Sequence, residues 1–499
     1  MRAINKIVKE SSINFTGSAV GTVLGYAWLM IMTRYLSQSE VGSFTLAQSI
    51  SNISLIFVLM GMHRSLDRFI PFYNSAGEKG KIKSILRFIF IFSLTTSIII
   101  GFALFFGAEF LGKGIFENPL LSQLLKIIVI SIPLLAVINI VIYAFSGYKE
   151  LRYNVYLKQI LEPSLKILFV LLLAVLGLGV VAWTWLYILT LAISALVGLI
   201  LLYKKIIQPL LAERTIKIDL MEIVSYSWPI SIASILLILI DQIGYLILGL
   251  YHPVANVGVY RIYIQIIALL KMILGSTARI YKPVISELIP KGEDEEIREV
   301  YARVSKWVLS LTMIGALILA LFGAQITGLL FTDAYAVYPI TLTILALGTL
   351  INGAIGPSGV TLEAFGSTRL VMINSLIAVV VNIGLGLLLI PGLGIVGAAI
   401  ATAVTLAVNG LLGYSEIFYL YKMQPFSMKT LKYLGIGSFT GLLFWGIKTW
   451  LDVDSIPGLL ILIILMVGIY FAGFYLTNSL DEVDKVTINR ITRFLRITR

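Results

Sequence analysis

Apolar residues run through this chain in fourteen long stretches, at 12–33, 41–61, 85–107, 122–146, 156–176, 180–203, 224–250, 257–278, 304–327, 338–359, 369–390, 394–421, 430–450 and 456–478. Each is long enough to cross a hydrocarbon core of ~30 Å as a helix, which takes about 20 residues. Backbone amides in lipid must be bonded within their own segment, so each stretch predicts an α-helix. The connections are short. The largest of one alternating set is 108–121, and the turns at 176–179 and 391–394 are little more than hairpins. The longest of the other set are 62–84, 204–223 and 279–303. None is large enough to fold as a soluble domain.

Charge follows the same alternation. Thirty-one of the 38 Lys and Arg residues lie in, or at the edges of, the N-terminal tail, every second connection and the C-terminal tail. The intervening connections hold only Arg34, Lys113 and Lys448, and Lys126, Lys166, Arg261 and Lys271 fall inside apolar segments. Lys and Arg are retained on the cytoplasmic side. Both termini are therefore expected in the cytoplasm, with an even number of spans. The first stretch follows Arg2, Lys6 and Lys9 without a convincing cleavage site and reads as an uncleaved first span.

Composition narrows the classes further. With 59% hydrophobic residues, 13% charged and a mean hydropathy of +0.97, a soluble globular protein of this length is excluded. The net charge of +12 is explained by short basic loops facing anionic headgroups, so no nucleic-acid partner is expected. There is no cysteine, and His63 and His252 are the only histidines, which leaves no thiolate nucleophile, no disulfide and no expected metal or other cofactor. From Asp484 to Arg499, the residues Arg490, Arg493 and Arg496 alternate with apolar positions, as in a basic amphipathic helix lying on the membrane.

The chain also repeats. Residues 35–44 line up with 251–260 at an offset of 216, and 177–182 with 392–397 at an offset of 215. Two separate matches at nearly one offset indicate two copies of six spans in the same orientation, related by an axis along the membrane normal, as in many transporters. The expected organisation is a six-helix lobe at 1–203, a cytoplasmic linker at 204–223, a second six-helix lobe at 224–421, helices 13 and 14 within 422–478, and a basic tail at 479–499. The fold class is all-α integral membrane. The G-x-G-x-x-G pattern at Gly392–Gly397 joins two spans, so it is a tight turn and not a nucleotide site. Pro133, Pro229 and Pro357 interrupt spans and predict kinks.

The run Arg34-Tyr35-Leu36-Ser37-Gln38-Ser39-Glu40-Val41-Gly42-Ser43-Phe44, then Gly61 and Arg68-Phe69-Ile70-Pro71-Phe72-Tyr73, resembles the opening of the polysaccharide flippase family. Residues Phe145 to Arg152 and the Gly-Leu-Gly turns continue the resemblance. That family shares a superfamily with multidrug and toxin antiporters and lipid II flippases. The resemblance implies two lobes around a central cavity and transfer of a polyprenyl-diphosphate-linked oligosaccharide from the inner to the outer leaflet of the cell membrane by alternating access. It also implies membrane lipid and glycan-assembly enzymes as partners.

Charges deep in spans are costly and usually line a cavity or pair with one another. Asp241 and Gln242 precede one external connection and Arg261 follows it, roughly 18 Å and 12 Å along their helices from Pro253 at ~1.5 Å per residue. Lys271 is ~15 Å further along the helix of Arg261, about 80° around it. Arg261, Lys271, Gln242, Lys126 and Lys166 are the candidate substrate-binding residues, since a cationic ladder suits a diphosphate and Arg binds its oxygens bidentately. The related lipid II flippases carry essential cavity arginines, one of which Arg261 resembles in placement. Asp241 and Glu363 are candidate ion-coupling carboxylates for a proton or sodium gradient. For Asp241 a structural ion pair with Arg261 is the competing reading. Glu162 and Glu416 could also carry protons, but like Glu363 they lie near the cytoplasmic edge, where a solvated carboxylate needs no special role.

The nearest rival is an ion-coupled drug antiporter on the same fold, which would need acids where this chain carries cations. A membrane-bound oligosaccharide polymerase or ligase would need a catalytic loop that the short external connections do not offer, so no enzyme activity is expected. The charge alternation places Lys81 and Lys291 inside and Lys113 and Asp452 outside. Single cysteines at these positions should react with an impermeant thiol reagent in intact cells only at 113 and 452; labelling at 81 or 291 overturns the fourteen-span topology.

Overall fold

A computed structural model describes residues 2–426, 428–450, 455–477 and 479. Among them every regular element is helical, and each of the fourteen predicted spans lies on helix. Among the described residues nine helices are individually long and apolar enough to cross a membrane, and the pair Pro119–Ile128 and Ser131–Gly147, bent by 44°, is so when taken together. The chain is a multi-pass membrane protein. The predicted amphipathic tail at 484–499 and the side chain of Pro229 lie outside the described residues.

The interruptions have local causes. Pro133 has no N–H for a bond to Val129, and the chain bends just before it, with the amide of Ile132 donating instead to Val129 at 3.1 Å. Pro357 follows Gly356 (φ 78°) at the break between helices Pro339–Ile355 and Ser358–Ala364. The turn expected at 391–394 is a single residue, Gly394 (φ 55°, ψ −127°), inside Thr368–Tyr421. Asn382 Nδ2 donates to Thr405 Oγ1 at 3.0 Å and Asn374 Nδ2 to Glu416 at 2.6 Å. Such pairing of residues ever further apart in sequence is the mark of an antiparallel hairpin.

One connection differs from expectation. Residues 62–84 were expected as a cytoplasmic connection with no helix assigned to it, and they begin with a helix, Met62–Ser75, that follows Gln38–Leu59 after the left-handed residues Met60 (φ 41°) and Gly61 (φ 67°). Leu66, Phe69, Ile70 and Tyr73 recur at helical spacing and are buried. Their amphipathic pattern is too short and too polar to register as a span.

Contacts group the chain into two compact units: Met1–Ile262 with Gly386–Ala398, and Tyr263–Leu385 with Ala399–Arg499. In the second, helices Met428–Trp450 and Ile456–Leu476 pack on Asp294–Leu330 through Met313, Phe322, Tyr433, Met466 and Tyr470. Tyr470 fixes their register by donating its hydroxyl to the carbonyl of Ser310 at 3.0 Å.

In the first unit the repeat becomes physical contact. A Cβ on Gly42 would collide with the carbonyl oxygen of Val254, and one on Gly258 with the carbonyl oxygen of Gln38. Gln38 and Val254, like Gly42 and Gly258, are equivalent positions of the two copies at the offset of 216. A contact in which i meets j′ and j meets i′ is the signature of a two-fold relation. The paired turns dock beside it. Glu40 accepts from the amide of Val180 at 3.4 Å, and the Nε2 of His252 lies 2.7 Å from the carbonyl oxygen of Ile390. Overpacking a close contact costs ~1–3 kcal/mol. Gly42→Ala and Gly258→Ala should therefore each lower the thermal unfolding midpoint in detergent, by similar amounts. Gly25→Ala, where a Cβ meets nothing within 4 Å, should leave it unchanged or raise it.

Candidate functional site

The helix Gln38–Leu59 opens with a capping box: Ser37 N donates to Glu40 Oε2 at 2.9 Å, and Glu40 N donates to Ser37 Oγ at 3.3 Å. Its other oxygen receives the amide of Val180, so one carboxylate serves the N-termini of two helices. This sets the helices Gln38–Leu59 and Val180–Leu202 side by side. Phe44 packs edge-on against both Trp183 and Tyr187, with ring centroids 6.5 and 5.4 Å apart. Trp183 in turn stacks on Trp28 of helix Arg2–Tyr35 at 5.5 Å.

Two cations meet at this aromatic wall. Arg261 Nη1 donates to Gln48 Oε1 at 2.7 Å and to Thr45 Oγ1 at 3.2 Å, and its guanidinium stands 5.8 Å from the Trp28 ring and 6.0 Å from Phe44. Thr45 is the repeat counterpart of Arg261 at the offset of 216, one helical turn beyond the Gly42–Gly258 contact. Lys166 Nζ lies 5.4 Å from Trp28 and 5.3 Å from Tyr187, and pairs with Glu162 at 2.6 Å. Gln48 closes the ring by donating to the hydroxyl of Tyr187 at 3.3 Å. Cations over aromatic faces gain ~0.5–2 kcal/mol each as they lose water.

The charge balance is uneven. Glu162 and Lys166 keep only 13% and 16% of their side-chain surface exposed, while Arg261 makes no ion pair among the described residues. Two cations thus share one carboxylate in a poorly hydrated setting. Both hydrogen bonds of Arg261 leave from Nη1, so the Nε and Nη2 edge remains for an oxyanion, the edge that binds one bidentately. Immediately before Glu162, residues Val155–Leu161 are wound as π-helix, a form that often marks functional positions.

The other candidates are dispersed. Lys271 follows Arg261 on the same helix, half-buried, within the second unit. Gln242 is half-buried and Asp241 exposed on Leu220–Tyr251. The ion pair considered between Asp241 and Arg261 is not formed; hydroxyl and amide partners hold the guanidinium instead. Lys126 pairs with Glu109 at 2.7 Å on the surface, where Lys113 also approaches at 3.8 Å. Glu363 pairs with Lys282 at 2.6 Å, also exposed. Sequence reasoning considered Glu162 only as a proton carrier near a span edge, and passed over Gln48, Thr45, Trp28 and Tyr187. The i, i+4 spacing of Glu162 and Lys166, and the offset linking Thr45 to Arg261, were the signals available.

Comparison with known proteins agrees with this architecture. The lipid II flippase MurJ in an inward closed conformation superposes with a TM-score of 0.72 over 94% of this chain and 98% of that one, at 16% identity. An inward-facing multidrug resistance MATE family transporter of the MOP superfamily gives 0.61 over 81% and 95%, also at 16% identity. The probable low-salt glycan biosynthesis flippase Agl15 of Haloferax volcanii is 28% identical over 239 residues, and that match spans 46% of this chain and about half, 48%, of the relative. The MatE family model matches residues 229–388. The model of the polysaccharide biosynthesis protein family matches residues 7–289, more than half of the chain, and the protein belongs to that family.

Proposed function

We propose that this protein is a flippase that moves a polyprenyl-diphosphate-linked oligosaccharide, supplied by glycan-assembly enzymes, from the inner to the outer leaflet by alternating access. The observation that carries this reading is the surplus cation of the Trp28 cluster, with the bidentate edge of Arg261 unused. A diphosphate offers oxygens for that edge and charge for Lys166. Glu162 holds Lys166 at 2.6 Å. An entering diphosphate takes its place, so that the ammonium never stands alone in a low-dielectric setting. The aromatic wall of Trp28, Phe44 and Tyr187 excludes water and strengthens each of these interactions. The fold shared with a lipid II flippase and the partial match to a glycan biosynthesis flippase support the same substrate class.

The antiporter reading fares less well at these residues, because an organic cation would meet two like charges and one carboxylate already paired. Asp241 remains our candidate for ion coupling, free of the structural duty that pairing with Arg261 would have imposed.

Binding of farnesyl diphosphate to the purified protein tests the site. Arg261→Ala should weaken it at least about tenfold, the loss of a charge-assisted hydrogen bond, and Arg261→Lys should recover only part. Glu162→Gln removes the internal competitor and should tighten binding several-fold. Unchanged affinity in Arg261→Ala would sink the proposal. For Asp241→Asn, a melting temperature equal to wild type is expected, together with loss of response to an imposed proton or sodium gradient in liposomes. Destabilisation would restore the structural reading.

A further inference from the structure

Away from the Trp28 cluster, the first unit carries a groove of about 730 Å³ between helix Lys79–Glu109 and residues 215–220. Its helical wall is two stripes at a spacing of four residues: Ser84, Phe88 and Phe92 along one, Arg87, Ile91 and Thr95 along the other. The opposite wall is irregular chain, yet it is fixed in place. Lys83 Nζ donates to the carbonyl oxygens of Leu211 and Glu213 at 3.2 and 2.9 Å, and Ser84 Oγ to that of Ile216 at 2.7 Å. Gly80 lets the backbone of Arg214 approach so closely that a Cβ would collide with it.

The lining combines two chemistries. Arg87, one helical turn after Ser84, and Lys217, next to Ile216, flank the Ser84–Ile216 hydrogen bond; both are exposed, and among the described residues neither forms an ion pair. The lining also includes apolar side chains that are open to the outside: Ile91 and Leu220 are 55% and 46% exposed. Arg87 to Thr95 is eight residues, ~12 Å along the helix, most of one leaflet of a ~30 Å hydrocarbon core. The loop bearing Lys217 belongs to the basic set of connections, the set expected at the inner leaflet.

We propose that this groove is a binding site for one anionic phospholipid of the inner leaflet, its phosphate between Arg87 and Lys217 and one chain along Phe88, Ile91 and Phe92. A free phosphate would leave the apolar length unused, and a zwitterionic lipid would bring a cationic headgroup toward the same two cations. The bound lipid would fasten the 204–219 connection to helix Lys79–Glu109, which makes membrane composition an input to the protein independent of its transported substrate.

Native mass spectrometry of the purified full-length protein, titrated with phosphatidylglycerol or phosphatidylcholine, tests this. Wild type should retain one phosphatidylglycerol more tightly than any phosphatidylcholine. A basic residue near an anionic surface contributes about fivefold, so Arg87→Gln and Lys217→Gln should each weaken that molecule about fivefold and the double variant about 25-fold. Thr95→Trp, which fills the groove without touching its charges, should displace it, and Lys113→Gln should leave it bound. Both charged residues and Thr95 are at the surface, so these variants should fold normally; circular dichroism and the melting midpoint check that. Equal retention in the double variant and in Thr95→Trp overturns the proposal. So does equal binding of the two lipids. Displacement of phosphatidylglycerol by farnesyl diphosphate at this groove, sensitive to Arg87→Gln but not to Arg261→Ala, would assign it to the transported lipid instead and likewise overturn it.

Discussion

The closest backbone approach between the two repeat copies governs what lies around it. Gly42 rests on the carbonyl of Val254 and Gly258 on that of Gln38, leaving no room for a side chain on either helix. In a bilayer, helices gain little from hiding apolar surface from one another, so close packing through small residues does that work. Once these helices are fixed at that distance, positions one turn further on must face each other. Those positions are Thr45 and Arg261, and the hydrogen bond between them follows from the glycine contact. The aromatic wall then supplies what a cation at that depth requires: polarisable faces at 5.3 to 6.0 Å and little competing water.

This explains why the site tolerates its charge. A lone buried cation would cost several kcal/mol. Here Lys166 has Glu162, and Arg261 spreads its charge over an amide, a hydroxyl and two rings. Among the described residues the two cations have one carboxylate partner between them. On the proposed flippase reading, the diphosphate supplies the second negative charge. A fully paired site would be more stable and would bind nothing.

Most of the fold was legible because the bilayer simplifies the code. A stretch of apolar residues long enough to span has one allowed conformation, and all fourteen stretches are helical. Hydropathy reads lipid-facing length, and it fails where helix is buried against protein rather than lipid. Met62–Ser75 escaped it for that reason: Leu66, Phe69, Ile70 and Tyr73 are packed inside, while His63, Arg64, Asp67 and Arg68 lower the average. The site was half legible. Arg261 and Lys166 stood out as cations out of place. Their partners did not, since Gln48, Thr45 and Trp28 are ordinary residues whose meaning lies in helices that approach only after folding. Asp241 was attractive at the right depth for Arg261, but depth along a helix says nothing about which way a side chain points.

The repeat sharpens that last point. The two copies have kept the glycines and the turns that make the contact, and they have diverged in the polar residues around it. Glu40 binds the amide of Val180 in the first copy, and its counterpart is Asn256; in the second copy the neighbouring turn is met by His252 instead. Thr45 faces Arg261, so a single guanidinium occupies a place where strict symmetry would put two, and two would repel each other in a setting with little screening. A symmetric frame can therefore carry a single guanidinium at this contact only if the copies differ there. A kept frame with divergence at this position fits the asymmetric ligand of the proposed function, which has one diphosphate and one glycan.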